Sequence, residues 1–180
     1  FKWTGLDFVM SHEFGHNLGV VHANSWSCND GSILYGSCIH NEYGNFYDVM
    51  GYGSLSTHFN AAFKDAYKWF DSSSLLTIDK SGTYTLNPYE GTTGIRAAKI
   101  YQSAINDTPF YLEFRKGIGF DSGLSQPNVN GLFVNWLPKI NYAPASRLLD
   151  MTPETGWGNV TLQGSKVFTD RGRGITIGPV

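Results

Sequence analysis

The sequence has few charged residues and no long apolar run. Lys, Arg, Asp and Glu make up 16% of the 180 residues, and the formal net charge is −2. The basic residues form no cluster of the kind that binds a phosphate backbone, so we expect no nucleic-acid partner. No apolar stretch approaches the roughly 20 residues that a transmembrane helix needs, so we also expect no membrane span.

Aromatic residues and glycine, by contrast, are plentiful. Hydrophobic residues reach 41%, aromatic residues 15%, and there are 21 glycines. This composition is typical of globular, β-rich secreted proteins with many tight turns. The length suits one large domain or two small ones.

The most informative stretch is HEFGHNLGVVH, which runs from His12 to His22. His12 and His16 are four residues apart, a spacing that puts both rings on one face of a helix. The helix is predicted over residues 5–19. Gly19 can take a positive φ, end the helix and turn the chain back, so that His22 approaches the other two rings.

Three neutral imidazoles around an open fourth position are the ligand set of a catalytic zinc. Glu13 lies beside the first ligand, where a carboxylate can act as a general base. The pattern H-E-x-x-H-x-x-G-x-x-H is the signature of the metzincin metallopeptidases, and this chain resembles them. The resemblance implies one zinc ion held by His12, His16 and His22.

The same helix carries an apolar stripe on the side opposite the histidines. We expect this stripe to pack on a core while the other face holds the metal. The alternative is a buried helix whose histidines serve packing alone. The stripe consists of Leu6, Met10, Phe14, Leu18 and Val21.

A second motif, EYGNFYDVMGYG at residues 42–53, supports the first. Metzincins place a Met side chain beneath the metal in a tight Met-turn, and Met50 is similar to that residue. Tyr52 completes an M-x-Y arrangement in which the Tyr can reach the zinc, or it packs against the turn. Asp48 either braces the loop by hydrogen bonds or is a simple turn residue.

Within the metzincins, this string most resembles the gametolysin-type peptidases and their bacterial relatives. The resemblance implies an α+β fold, in which residues 1–78 form the C-terminal portion of the catalytic domain. A second helix is expected after the Met-turn, capped by Asn60 and ending near Asp71. In the family a whole subdomain precedes the zinc helix, so we expect the sequence to be part of a longer precursor.

The two cysteines, Cys28 and Cys38, flank a polar loop within residues 23–47. A reduced pair is one alternative, but a disulfide fits an extracellular protein better. In the chain-entropy model, closing so short a loop contributes about 3 kcal/mol.

Residues 79–180 predict a separate, antiparallel β-sandwich-like domain, with a boundary near residue 78. Short segments of β-formers alternate with turn residues at intervals of about ten residues. The predicted strands are LLTI, TYTL, AAKIY, FYLEF, LFVNW, VTL, KVF and ITI.

Several further residues give weaker signals. Glu113 and Arg115 are expected to face solvent, and His40 and His58 are unassigned, with His58 either on the surface or lining a substrate pocket. Asn106 and Asn159 begin N-x-T sequons. The loop carboxylates are expected to be solvated turn residues; calcium binding is the alternative, but their spacing matches no calcium loop. Those carboxylates are Asp107, Asp121 and Asp150.

Together these features predict a secreted zinc metalloendopeptidase that acts on protein or peptide substrates. One alternative is a zinc module whose site is only structural, but Glu13 argues against it because a structural site does not need that carboxylate. The other is a non-catalytic protein whose β-domain binds matrix or polysaccharide through aromatic residues such as Trp136 and Trp157, although burial is their commoner fate.

Overall fold

The computed structural model describes residues 5–52, 57–101, 108–124, 127–138 and 143–180. The chain is a mixed α/β structure with few helices. Its helices are α1 (Gly5–Asn17) and α2 (Ala61–Ala66), with short 3₁₀ segments at Gly119–Gly123 and Pro153–Gly158. Its strands are β1 (Asn24–Cys28), β2 (Cys38–Asn41), β3 (Leu75–Ile78), β4 (Ala97–Ile100), β5 (Phe110–Arg115), β6 (Gly131–Trp136), β7 (Arg147–Leu149), β8 (Phe168–Asp170) and β9 (Ile175–Ile177). No α-helix of the described ranges is long and apolar enough to cross a membrane.

Seven strands form one sheet, in the order β2-β1-β7-β6-β5-β4-β3, and β8 pairs with β9 in a separate hairpin. The large sheet differs from the expected antiparallel sandwich, because it contains both parallel and antiparallel strand pairs. β1 runs parallel to β7, and β3 runs parallel to β4. The central pairs, β4–β5, β5–β6 and β6–β7, are antiparallel as expected.

The large sheet contains strands from both sides of residue 78. β3 ends at that residue and pairs over its full length with β4, from Leu75 opposite Ala97 to Ile78 opposite Ile100. β1, near the start of the chain, pairs with β7. The strand pairing therefore connects the two parts into which the sequence was divided.

Each face of the sheet is covered by a different element. Side chains of a strand alternate between the two faces. Along β5, Phe110 and Leu112 join a core with Phe168 and Ile177 of the β8–β9 hairpin. Tyr111 points to the other face and packs with the start of α2. The sheet is thus a central layer between the hairpin and α2.

Helix α2 begins where the sequence predicts but is shorter than expected. The Asn60 side chain accepts hydrogen bonds from the backbone N–H groups of Ala62 and Phe63, which caps the N-terminus. The helix ends at Ala66 rather than near Asp71.

The apolar stripe of α1 does not pack on a core, contrary to the prediction. Met10 is 62% exposed and Phe14 55% exposed, and the other stripe residues are exposed as well. The packed face carries His12 and Gly15, both of which are buried. The close contact of Gly15 with Met50 explains this orientation, because it packs the side of α1 that carries His12 against the turn around Met50.

Four segments depart from the strands expected from the sequence. Residues 23–47, predicted as loop, contain β1 and β2, while TYTL at residues 83–86 forms no strand. Of the VTL segment, Leu162 forms an isolated bridge to Leu132. Strand β7 has no counterpart among the predicted strands.

Candidate metal centre

The structure brings His12, His16 and His22 together. The His12 and His16 rings lie 4.9 Å apart on adjacent turns of α1. After α1 ends, Gly19 takes a φ of 98°, in the left-handed region that the sequence predicts for it. The chain then returns, and the His22 ring lies 5.5 Å from that of His12 and 4.9 Å from that of His16.

Each of the three rings has a hydrogen-bond partner at its Nδ1 atom. His12 Nδ1 lies 2.8 Å from the carbonyl oxygen of Val49, and His16 Nδ1 lies 3.0 Å from that of Val20. A carbonyl oxygen only accepts, so both Nδ1 atoms donate. His22 Nδ1 lies 2.7 Å from Glu42 Oε1, an acceptor as well when the carboxylate is ionised. In the neutral rings this leaves each Nε2 with a free lone pair.

These three side chains are positioned to hold a metal ion. One potential ligand atom from each lies within 4.8 Å of the other two. Three imidazole nitrogens are a donor set that zinc accepts, and Nδ1–H groups fixed by carbonyl or carboxylate partners are typical of metal-bound histidines. Burial lowers the pKa of His12, which favours the neutral form that a ligand must have.

The Met50 side chain packs against α1. Its side chain is fully buried, and a Cβ added to Gly15 would lie 2.3 Å from Met50 Sδ. Only a glycine at position 15 permits this contact. The Met50 carbonyl also accepts a hydrogen bond from Ala23 N at 2.8 Å, which ties the turn to the segment after His22.

Asp48 braces the turn, which decides between its two predicted roles. It is fully buried and accepts hydrogen bonds from Met50 N at 2.7 Å and Asn60 N at 2.5 Å. The same loop presents the Val49 carbonyl to His12. Asp48 therefore links the position of His12 to the start of α2.

Glu113 and Arg115, predicted to face solvent, are fully buried. Glu113 Oε1 accepts from Arg115 Nε at 3.0 Å and Nη2 at 2.7 Å, while Glu113 Oε2 accepts from Ala61 N at 2.7 Å. Arg115 Nη1 donates to the carbonyl of Tyr47 and to Asp121. This buried ion pair holds both the start of α2 and the residue that precedes Asp48.

A cleft of about 350 Å³ opens beside His12. Glu13 and Tyr52 are exposed, and both line the cleft, next to His12. Tyr52 is 75% exposed, and its backbone N–H donates to the Tyr43 carbonyl at 2.7 Å. The arrangement gives Glu13 access to a molecule bound in the cleft.

Two residues of the site were not predicted. Glu42 bonds to His22, and the Tyr43 ring centroid lies 3.7 Å from that of His22. Tyr43 has a φ of 61°, and its backbone N–H donates to the Asn24 side chain. Both residues belong to the EYG string of the second motif, but nothing in that string indicated a contact with His22.

Cys28 and Cys38 form a disulfide. They are directly opposite each other where β1 pairs with β2. The bond closes the hairpin whose chain continues into Glu42 and Tyr43. The disulfide thus helps to fix the loop that carries the partner of His22.

Other candidate residues have structural environments. Asp121 is buried and paired with Arg115, and Asp150 is buried and accepts from Thr152 N, so neither is the solvated turn carboxylate that the sequence predicted. Asn159 accepts from the Thr161 hydroxyl, and His40 is exposed on β2. Asn106 and Asp107 lie outside the described residues.

His58 lines a second cavity, and the interpretation as a plain surface histidine is wrong. It is half-buried and contacts Glu90 and Lys64.

No family model matches the chain, and no solved structure matches it either.

Proposed function

We propose that the chain is the zinc-binding part of a secreted metalloendopeptidase of the metzincin type. One observation carries this proposal: one possible ligand atom from each of the three histidines lies within 4.8 Å of the other two, and His12 lines a cleft that Glu13 lines as well. The donor set fits zinc. When bound, the ion supplies a Lewis acid that polarises a carbonyl group and a water molecule.

The residues of the chain provide the proton transfers. Glu13 takes a proton from the attacking water and later donates it to the leaving amine, since it adjoins the first ligand and faces the cleft. Tyr52, on the same cleft, donates a hydrogen bond to the developing oxyanion. Glu42 and the Val49 and Val20 carbonyls hold the imidazoles in the required tautomer.

The disulfide supports the secreted location, because such bonds persist in oxidising surroundings. Trp136 does not support the alternative of a matrix- or polysaccharide-binding protein. Its ring is half-buried, packs edge-on against Trp26, and lies 5.4 Å from the Arg147 guanidinium. An indole covered in this way does not offer a free stacking face to a sugar.

The test is proteolysis of casein and of a gelatin substrate by the full-length protein, with and without a chelator. Glu13→Gln keeps the shape of the side chain and removes the base. We expect it to retain zinc and to lose about 10²- to 10⁴-fold in turnover. Near-normal proteolysis by this variant would remove Glu13 from the mechanism, and chelator-resistant proteolysis would exclude the metal.

A further inference from the structure

The second cavity adjoins the candidate metal centre and shares one lining residue with the first cleft. It has a volume of about 380 Å³ and adjoins the histidines through Ser11, the neighbour of His12, and Val49, whose carbonyl binds His12. Phe8 lines both cavities. This volume lies near the lower limit of small-ligand sites, about 300–1,000 Å³, and suits one extended side chain rather than a folded segment.

The walls of this cavity are aromatic, and its charges have one sign. Phe59, Trp69 and Phe70 contribute apolar surface, and Lys64 and Arg96 contribute positive charge. None of the described residues that line it carries a carboxylate. A ligand that fills it therefore needs an apolar stem and a negative charge.

The charge of Lys64 is compensated within the protein. Its Nζ atom lies 2.7 Å from His58 Nδ1, and His58 Nε2 contacts the carboxylate of Glu90. Burial lowers the pKa of Lys64 to about 8, which still leaves the amine protonated at neutral pH. The neutral His58 ring thus connects this cation to an anion.

In the part of the chain that the structure describes, Arg96 is connected to a carboxylate only through Ser74, whose hydroxyl donates to Asp71 Oδ2 at 2.8 Å. The Nη1 atom of Arg96 donates to the Gly91 carbonyl at 3.2 Å and its Nη2 to Ser74 Oγ at 2.8 Å, both neutral acceptors, so each keeps a second N–H group, while Nε is buried without a partner. Among the described residues, no carboxylate lies within ion-pairing distance of Arg96. A guanidinium with spare donors is suited to a carboxylate ligand.

We propose that this cavity binds the side chain of a glutamate that directly flanks the scissile bond, with Arg96 binding its carboxylate. The inference rests on the proposed peptidase function and specifies its substrate class. The aromatic walls contact the methylene groups of the glutamate, and the cationic wall selects against neutral isosteres. The protein is then a peptidase selective for acidic sequences.

Cleavage of peptides that differ only by Glu or Gln beside the scissile bond tests this inference. For the zinc-loaded full-length protein, we expect kcat/KM to be at least about 10-fold higher for the Glu peptide, the effect of one charge-assisted hydrogen bond. Arg96→Gln should abolish the difference and leave cleavage of the Gln peptide within a few-fold. Arg96→Lys keeps the charge and should retain part of the preference.

Lys116→Gln is the matched control, because it removes a positive charge from an exposed residue outside the cavity. We expect it to leave the Glu preference unchanged. Should Arg96→Gln fail to fold, the salt dependence of the wild-type preference decides. Raising the ionic strength from about 0.1 M to 1 M should reduce the Glu-to-Gln ratio. Equal cleavage of both peptides, or an Arg96→Gln variant that keeps the preference, would overturn the inference.

Binding separates this inference from the peptidase proposal. The anisotropy of labelled Glu and Gln peptides can be measured with the Glu13→Gln chain, which is expected not to cleave them. If the wild type cleaves neither peptide but this variant binds the Glu peptide more tightly through Arg96, the peptidase proposal fails and the cavity assignment stands. If cleavage occurs but both peptides bind equally, the cavity assignment fails alone.

Discussion

Glu42 differs from the other two Nδ1 partners because it is a side chain and can be removed by mutation. Its carboxylate lies 2.7 Å from His22 Nδ1. Such partners fix the tautomer and raise the basicity of a ligand, and their loss costs about 10- to 100-fold in metal affinity. We expect Glu42→Ala to weaken zinc binding by that factor, measured by competition with a chelator. Glu42→Gln keeps an acceptor oxygen and should lose less; equal affinity in all three proteins would show that the contact is unimportant.

Tyr52 tests whether the hydroxyl on the cleft acts in the reaction. Tyr52→Phe deletes only that hydroxyl, which is exposed and has no partner among the described residues. We expect kcat to fall by about 10- to 100-fold, with little change in KM, because the contact exists mainly in the transition state. Zinc content and thermal stability should match the wild type. A wild-type cleavage rate would make Tyr52 a packing residue of the turn.

At the same scale, the convergence of the three histidines could be predicted from sequence, whereas their hydrogen-bond partners could not. The spacing of His12 and His16 and the glycine at position 19 express a local geometry that helix rules describe. Glu42 reaches His22 only because β1 and β2 fold the chain back over about 20 residues. No local rule predicts that contact.

At the scale of elements, a helix or strand could again be predicted only where the sequence signal was local. The Asn60 cap was predicted because capping involves only the next three residues. β1 and β2 were missed because their sequences, NSWSC and CIHN, are polar and resemble loops. The position of Glu113 was predicted wrongly for a related reason. Strand alternation shows that Glu113 and Tyr111 lie on the same face of the sheet, but it does not show that α2 covers that face.

The buried pair on β5 yields a prediction for stability. Glu113→Gln leaves Arg115 with one carboxylate partner, Asp121, and weakens the bond to the start of α2. Breaking a buried ion pair typically costs about 3–5 kcal/mol. We expect the free energy of unfolding to fall by about 3 kcal/mol, measured with urea, and zinc affinity to fall because Asp48 and the Met-turn lose support.

Lys116→Gln supplies the control for that measurement. Lys116 follows β5 directly and is exposed, so its replacement should change the free energy of unfolding by less than about 0.5 kcal/mol. A Glu113→Gln protein as stable as this control would contradict the role given to the buried pair.

At the scale of the whole molecule, the strand pairing in the large sheet is relevant to whether the chain folds as one domain or two. Strands on both sides of residue 78 pair with each other. We therefore expect one cooperative unfolding transition, with coincident curves from tryptophan fluorescence and far-ultraviolet circular dichroism. Residues 79–180 alone lack β1 and β3 and should show no cooperative transition. Two separate transitions, or a cooperatively folded 79–180 fragment, would favour two domains.

The metal content of the protein tests the central claim most directly. Refolded with zinc and dialysed, the wild type should carry about one zinc ion per chain, since the three imidazoles form a single ligand set. His16→Ala should lose that zinc, and Glu13→Gln should keep it because Glu13 is not a ligand. A wild-type chain without bound zinc, or a His16→Ala chain that retains it, would contradict the assignment of His12, His16 and His22 as a metal centre.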